Sequence, residues 1–140
     1  MKRKNIQNEA ETYEFGIELS KTLAKGDIIC LIGELGTGKT TLAKAIAQGL
    51  GIPQQITSPT FTIIQEYGGG RLPLYHFDAY RIKDSSEMFE IGAFDYLDGD
   101  GVCIIEWANN IMDIIPEDSI VIHIYYGKEE GSRVYEYSGY

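Results

Sequence analysis

Cysteine is nearly absent from this chain: two residues in 140, Cys30 and Cys103, far apart and each inside an apolar run. That excludes a disulfide-stapled scaffold, and with no cluster of Cys and His at ligand spacing it also excludes a structural zinc site. Both thiols read as buried and reduced, as in a cytosolic protein. Basic charge is also scarce. Twelve Lys and Arg against 21 Asp and Glu leave a net charge of −9, the opposite of the basic face that a free-standing nucleic-acid binder carries. No apolar run approaches the length that spans a bilayer. The opening "MKRKNIQNEAET" is briefly basic but has no apolar stretch behind it, unlike a secretory signal. A cytoplasmic protein without membrane attachment is expected. Repeats, low-complexity tracts and linkers are missing too, so residues 1–140 are expected to form one domain.

What is present is a globular composition, 44% hydrophobic, arranged in alternating periods. "NEAETYEFGIELSKTLAKGD" predicts a helix with Asn8 as N-cap, Glu11 three residues on as in a capping box, a Phe15/Leu19/Leu23 stripe and Gly26 as its end. "DIICLIG" (27–33) is short, β-branched and apolar throughout, the pattern of a strand covered on both faces. A second helix starts at Lys39, with Leu42, Ile46 and Leu50 on one stripe and Gly51 and Pro53 at its end. "FTIIQEY" and "LPLYHFDAY", joined by "GGGR", predict a hairpin. "DSSEMFEIGAFDYL" predicts one or two short helices under an Asp cap, broken near Gly92. "GVCIIEWANN" predicts a buried strand, and "SIVIHIYYGKEEGSRVYEYSGY" a C-terminal hairpin. The order is that of an α/β fold.

Between the first buried strand and the second helix lies "GELGTGKTT", residues 33–41, which fits the phosphate-binding loop pattern Gly-x4-Gly-Lys-Thr. Glycines at 33, 36 and 38 let backbone N–H groups turn inward around an anion with no Cβ in the way. The loop opens onto a helix N-terminus, whose free N–H groups and dipole favour negative charge. In this pattern Lys39 reaches the β- and γ-phosphates and the Thr40 hydroxyl is a magnesium ligand. A purely structural turn has no need of the Lys-Thr pair.

Such a loop requires a carboxylate at the end of a nearby strand, for the metal and the attacking water. Glu106 follows "VCII" and Asp78 ends "LYHF"; both are candidates. Asp78 could instead pair with Arg81. "TSPTF" (57–61) sits where related NTPases keep a loop that senses the γ-phosphate, with Thr60 as the sensor and Ser58 as the alternative; a plain proline turn fits those residues equally well. His76 and His123 read as packing or surface residues. The tyrosines of the last hairpin (125, 126, 135, 137) read as structural cross-strand residues in preference to a base-stacking platform.

Taken together, "GELGTGKTTLAKAIAQGLG", "ITSPTF", "YHFDAYRI" and "CIIEWA", in this order and at these distances, resemble the TsaE family, the small bacterial P-loop ATPases of tRNA threonylcarbamoyladenosine (t6A) biosynthesis. The resemblance runs over nearly the whole chain. It implies a P-loop NTPase-like α/β fold, with helices around a mostly parallel sheet that carries added antiparallel strands. It implies that Gly33, Glu34, Leu35, Gly36, Thr37, Gly38, Lys39, Thr40 and Thr41 cradle ATP. Thr40, Asp78 and Glu106 would face the Mg²⁺ site and Trp107 would lie beside it. Glu9 and Thr12 would lie near the adenine, and Arg133 counts among the nucleotide-binding residues. Many relatives carry an acid two positions after the Trp, where this chain has Asn109.

The resemblance further implies an ATPase that cycles a complex of the TsaD and TsaB proteins, meeting tRNA only through that complex. A small P-loop metabolite kinase is the alternative. Against it stands the arginine count of four (Arg3, Arg71, Arg81, Arg133), with no Arg-rich helical lid; a guanine-selecting Asn-Lys-x-Asp pattern is also absent, which argues against a GTPase. With Arg3 in a terminal segment expected to fray and no arginine in an evident finger loop, slow turnover by the isolated chain and acceleration by partners are expected.

Overall fold

A computed structural model describes residues 1–57 and 64–140. Seven strands form one sheet: β1 (Lys2–Ile6), β2 (Ile28–Gly33), β3 (Ile64–Tyr67), β4 (Leu74–Asp78), β5 (Val102–Glu106), β6 (Ile120–Tyr126) and β7 (Arg133–Ser138). Their order is β1-β7-β6-β2-β5-β4-β3. The central four, β6-β2-β5-β4, run parallel; β7 and β1 extend one side antiparallel and β3 extends the other. A mostly parallel α/β sheet with added antiparallel strands is therefore the fold, as the sequence predicts.

Both sides of the central strands are covered, which is why they read as unbroken apolar runs. Ile29 and Leu31 of β2 enter a core with Phe15 and Leu19 of α1 (Glu9–Ser20) and Leu42, Ile46 and Leu50 of α2 (Lys39–Gly49). The alternate residues, Ile28 and Cys30, enter a second core with Phe77, Met88, Leu97 and Ile105. Met88 and Leu97 come from α3 (Ser86–Glu90) and α4 (Ala93–Leu97), which break at Gly92 as expected. Asp84 caps this region by accepting from the Ser86 N–H at 2.9 Å. Asn8 caps α1: its Oδ1 accepts from the Glu11 N–H at 3.0 Å, while Glu11 Oε1 accepts from the Gln7 N–H at 3.0 Å.

Two expectations are corrected. The first helix stops at Ser20 and not at Gly26; Arg71 donates to the Ser20 and Leu23 carbonyls at 2.7 and 3.0 Å and closes the helix end from a distant loop. Arg3 does not fray. It belongs to β1, which pairs along its length with β7, and the sole buried residue of the strand, Ile6, anchors it in the core. A polar strand with one apolar residue carries no period, so only its partner reveals it. Among the described residues no helix is long and apolar enough to cross a membrane.

Candidate active site

The site lies at the C-terminal ends of the parallel strands, where open α/β sheets place their ligands. β2 delivers Gly33 into a loop that returns as α2, with Gly38 at its N-cap. Gly36 and Gly38 have φ of +82° and +101°, a region that L side chains avoid. An added Cβ on Gly38 would meet nothing within 4 Å, so the cradle is open space above the helix start.

The polarity of this loop is one-sided. Every carbonyl from Gly33 to Gly38 has a donor. Lys39 Nζ donates to the Gly33 and Glu34 oxygens, both at 2.8 Å. Thr37 Oγ1 and N also donate to Glu34 O, at 2.8 and 3.2 Å. Tyr126 Oη donates to Leu35 O at 2.6 Å, and Arg133 donates to Gly36 O at 3.3 Å and Thr37 O at 2.8 Å. The Leu42 N–H closes on Gly38 O at 3.0 Å. The N–H groups of Leu35, Gly36 and Gly38, by contrast, find no acceptor among the described residues. A loop that satisfies its acceptors and leaves three of its donors free is built for an anion.

Beside it stands a polar cluster. β4 and β5 end in register, so Asp78 and Glu106 are neighbours. Glu106 is buried, and its carboxylate accepts from Thr40 Oγ1 at 3.1 and 3.0 Å and meets His76 Nε2 at 2.6 Å. Asp78 Oδ1 accepts from the Tyr80 N–H at 2.9 Å. Burial pushes the Asp78 carboxyl above the usual range, against the pull of the Tyr80 N–H, and the Glu106 charge adds to the rise. Burial lowers the Lys39 ammonium, with Glu106 and Asp78 opposing. Trp107, the residue after Glu106, is the single described non-glycine with positive φ, 58°. That turn lays its ring 4.2 Å from Lys39 Nζ, with the Tyr80 ring 4.8 Å away on centroids. Lys39, Thr40, Asp78, Glu106 and Trp107 line one cleft of about 350 Å³. Its hard oxygen donors (Thr40 hydroxyl, two carboxylates) suit magnesium, and the free N–H groups above suit the phosphates that would share that ion.

A second cleft of about 320 Å³ opens on the other side of the helix start and gathers Glu9, Thr12, Thr37, Gly38, Thr41 and Arg133. The described sequence-predicted residues thus converge on two adjoining spaces, except Gly33 and Glu34, which line a third cleft of about 600 Å³ with Ile32, Trp107 and Tyr126. Thr60, with Ser58, lies outside the described residues. Arg81 does not pair with Asp78; it is exposed, and Asp78 turns instead to the backbone of Tyr80. His76 fits the packing half of its reading, being fully buried, and it also meets Glu106, with Nδ1 lacking a partner among the described residues. Its position two residues before Asp78 on one strand was the signal available, since β4 brings alternate residues to one face. Tyr126 was likewise missed as a loop contact. Tyr135 and Tyr137 fit the structural reading, packing edge-on against Phe15.

Comparison with known proteins shows the family. A family model described as "Threonylcarbamoyl adenosine biosynthesis protein TsaE" matches residues 6–134. The chain is 49% identical over 108 residues to the tRNA threonylcarbamoyladenosine biosynthesis protein TsaE of Bacillus subtilis, covering 76% of this chain and 67% of that protein. It is 41% identical over 114 residues to the protein of that name from Treponema pallidum, covering 81% and 84%. The crystal structure of Bacillus subtilis YdiB superposes with a TM-score of 0.80 at 36% identity, covering 97% of this chain and 83% of that one. On the match to the family model over most of its length, and on relatives this similar, the chain belongs to the TsaE family.

Proposed function

We propose that this chain binds ATP with magnesium, hydrolyses it, and serves tRNA threonylcarbamoyladenosine biosynthesis by cycling a complex of TsaD and TsaB. The observation that carries the nucleotide reading is the one-sided polarity of the loop: satisfied carbonyls from Gly33 to Gly38, free N–H groups at Leu35, Gly36 and Gly38. The biosynthetic role is supported by the relatives' names.

Each residue has a role. Lys39 leaves the Gly33 and Glu34 carbonyls for the β- and γ-phosphates. Thr40 and Asp78 hold the metal, with Glu106, whose carboxylate His76 and Thr40 fix in place. Magnesium, when bound, neutralises the phosphate charge. Glu106 orients the attacking water. Glu9, Thr12 and Arg133 border the nucleotide from the second cleft, and Trp107 covers the site beside Lys39. Residues 1–140 act as one domain, in the cytoplasm, and tRNA is met only through the complex.

No arginine lines the metal-side cleft among the described residues. Arg71 is spent on the end of α1 and Arg133 on loop carbonyls, while Arg81 is exposed. Turnover by the isolated chain is therefore slow, and partners accelerate it by supplying charge or order. The test is phosphate release with and without TsaD and TsaB. Glu106→Gln should bind ATP normally and lose turnover by about 100-fold or more. Wild-type turnover in that variant would remove Glu106 from the mechanism, and fast turnover by the isolated chain would remove the partner dependence.

A further inference from the structure

Lys39 cannot serve two masters. Its ammonium satisfies the Gly33 and Glu34 carbonyls. Once it turns to a phosphate, Glu34 O keeps the Thr37 donors, but Lys39 no longer ties the loop down. The carbonyls of Leu35, Gly36 and Thr37 are then the ones that decide whether the intervening N–H groups still face inward. All three are held from outside the loop, by one hairpin: Tyr126 at the end of β6 and Arg133 at the start of β7.

We propose that Tyr126 and Arg133 are positioning residues: together they hold the phosphate-binding loop in its anion-ready shape by gripping the backs of Leu35, Gly36 and Thr37. The inference deepens the ATP-site reading and rests on it. The pair is preorganised. Tyr126 and Arg133 are direct register partners across the antiparallel ladder, and the guanidinium lies 4.9 Å from the Tyr126 ring centroid. Each side chain thus fixes the other. Arg133 Nη1 also donates to Ser132 O at 2.8 Å, which leaves Nε and Nη2 aimed at Thr37 O and Gly36 O. The rigid fork of Arg spans two successive carbonyls as a Lys ammonium would not. Tyr126 is half exposed, so its hydroxyl contributes to the loop and little to the core. An added Cβ on Gly36 would come 3.1 Å from that hydroxyl, so the glycine also lets the tyrosine approach.

The test reads the loop directly. Backbone ¹⁵N relaxation is measured for the Leu35–Gly38 amides and for β5 in the nucleotide-free chain, and ATP affinity by calorimetry, for wild type, Tyr126→Phe, Arg133→Gln and Arg133→Lys. Rigid backbone gives order parameters near ~0.85 and flexible backbone below ~0.6. Wild-type loop amides should fall in the rigid range. Arg133→Gln should send them toward the flexible range with β5 unchanged, and should weaken ATP about tenfold, the loss of charge-assisted bonds. Tyr126→Phe should do the same to a smaller degree, about threefold, and Arg133→Lys should recover only part of the loss. Weakened ATP binding with unchanged loop order would mean that Arg133 acts on the nucleotide alone and not through the loop, and overturns the proposal. So would a loosened loop that binds ATP as tightly as before, or no change in either. If Arg133→Gln fails to fold, Tyr126→Phe, which removes one half-exposed hydroxyl, decides alone. A wild-type chain with a rigid loop and no ATP affinity would instead defeat the ATP-site reading, and the order parameters would still decide whether the hairpin holds the loop.

Discussion

Two glycine-rich turns sit in this chain, and they do opposite things. The turn at 33–38 ends a parallel strand and opens a helix; its carbonyls are bonded chiefly from Lys39 and from the β6–β7 hairpin, and the N–H groups of Leu35, Gly36 and Gly38 are free among the described residues. The turn at 68–71 joins β3 to β4 and packs against the end of α2. There a Cβ on Gly70 would strike Leu50 O at 2.4 Å, the Arg71 N–H donates to that same Leu50 O at 2.7 Å, and the Arg71 guanidinium closes the end of α1. One set of glycines leaves room for a ligand and the other leaves room for the protein itself. Glycine density therefore says nothing alone; the destination of each backbone hydrogen bond does.

The comparison breaks most sharply at Lys39. Lys39→Ala removes the main countercharge at the first turn, and ATP affinity measured by calorimetry should fall on the order of 100-fold or more. Retained affinity would mean that the first turn is as structural as the second. Gly70→Ala is the converse experiment. The backbone atoms it meets cannot yield as a flexible side chain would, so unfolding free energy should drop by about 1–3 kcal/mol while the folded fraction binds ATP as before. A lost affinity at unchanged stability would reverse the assignment of the two turns.

Asp78→Asn gives a smaller effect with a defined sign. The folded chain raises the Asp78 pKa, chiefly by burial, so the native state binds that proton more tightly than the unfolded chain does. Its favourable contribution is present at low pH and lost as pH rises through the folded pKa; the ionised form costs stability at neutral pH. In the metal-free protein the Asn variant should melt higher at pH 7, and the gap should close on acidification. An equal gap at both ends of that range would show that charge is not the cause. The smallest effect is expected in the second core. Cys30 and Cys103 are buried with thiols pushed up to about 12 by desolvation, so a thiol reagent should leave both unmodified at pH 7 until the chain unfolds. Rapid native labelling would show that the second core is open.

Much of this was legible in one dimension. Asn8 and Glu11 announce the start of α1, the β-branched runs at 28–33 and 102–106 announce covered parallel strands, and Gly33-x4-Gly38-Lys39-Thr40 announces the loop, because each depends on residues a few positions apart. β1 was not legible: its sequence is polar, and its place comes entirely from pairing with β7 at the far end of the chain. His76 reads as a packing or surface residue, and only the β4–β5 register shows that it is buried and also meets Glu106. Arg81 reads as a partner for Asp78, yet the three-residue separation across the end of β4 turns it to solvent.

Sequence alone determined the local chemistry: caps, periods, and a loop whose glycines, lysine and threonine suit an anion and its metal. Those follow from backbone geometry and side-chain type over spans of ten residues or fewer. Only the tertiary structure decided what holds that loop. Tyr126 and Arg133 lie more than ninety residues away in the chain and reach Leu35, Gly36 and Thr37 because β6 lies beside β2 and β7 beside β6. Side chains that distant are brought together by sheet order, and sheet order is set by which apolar faces the whole chain can bury at once.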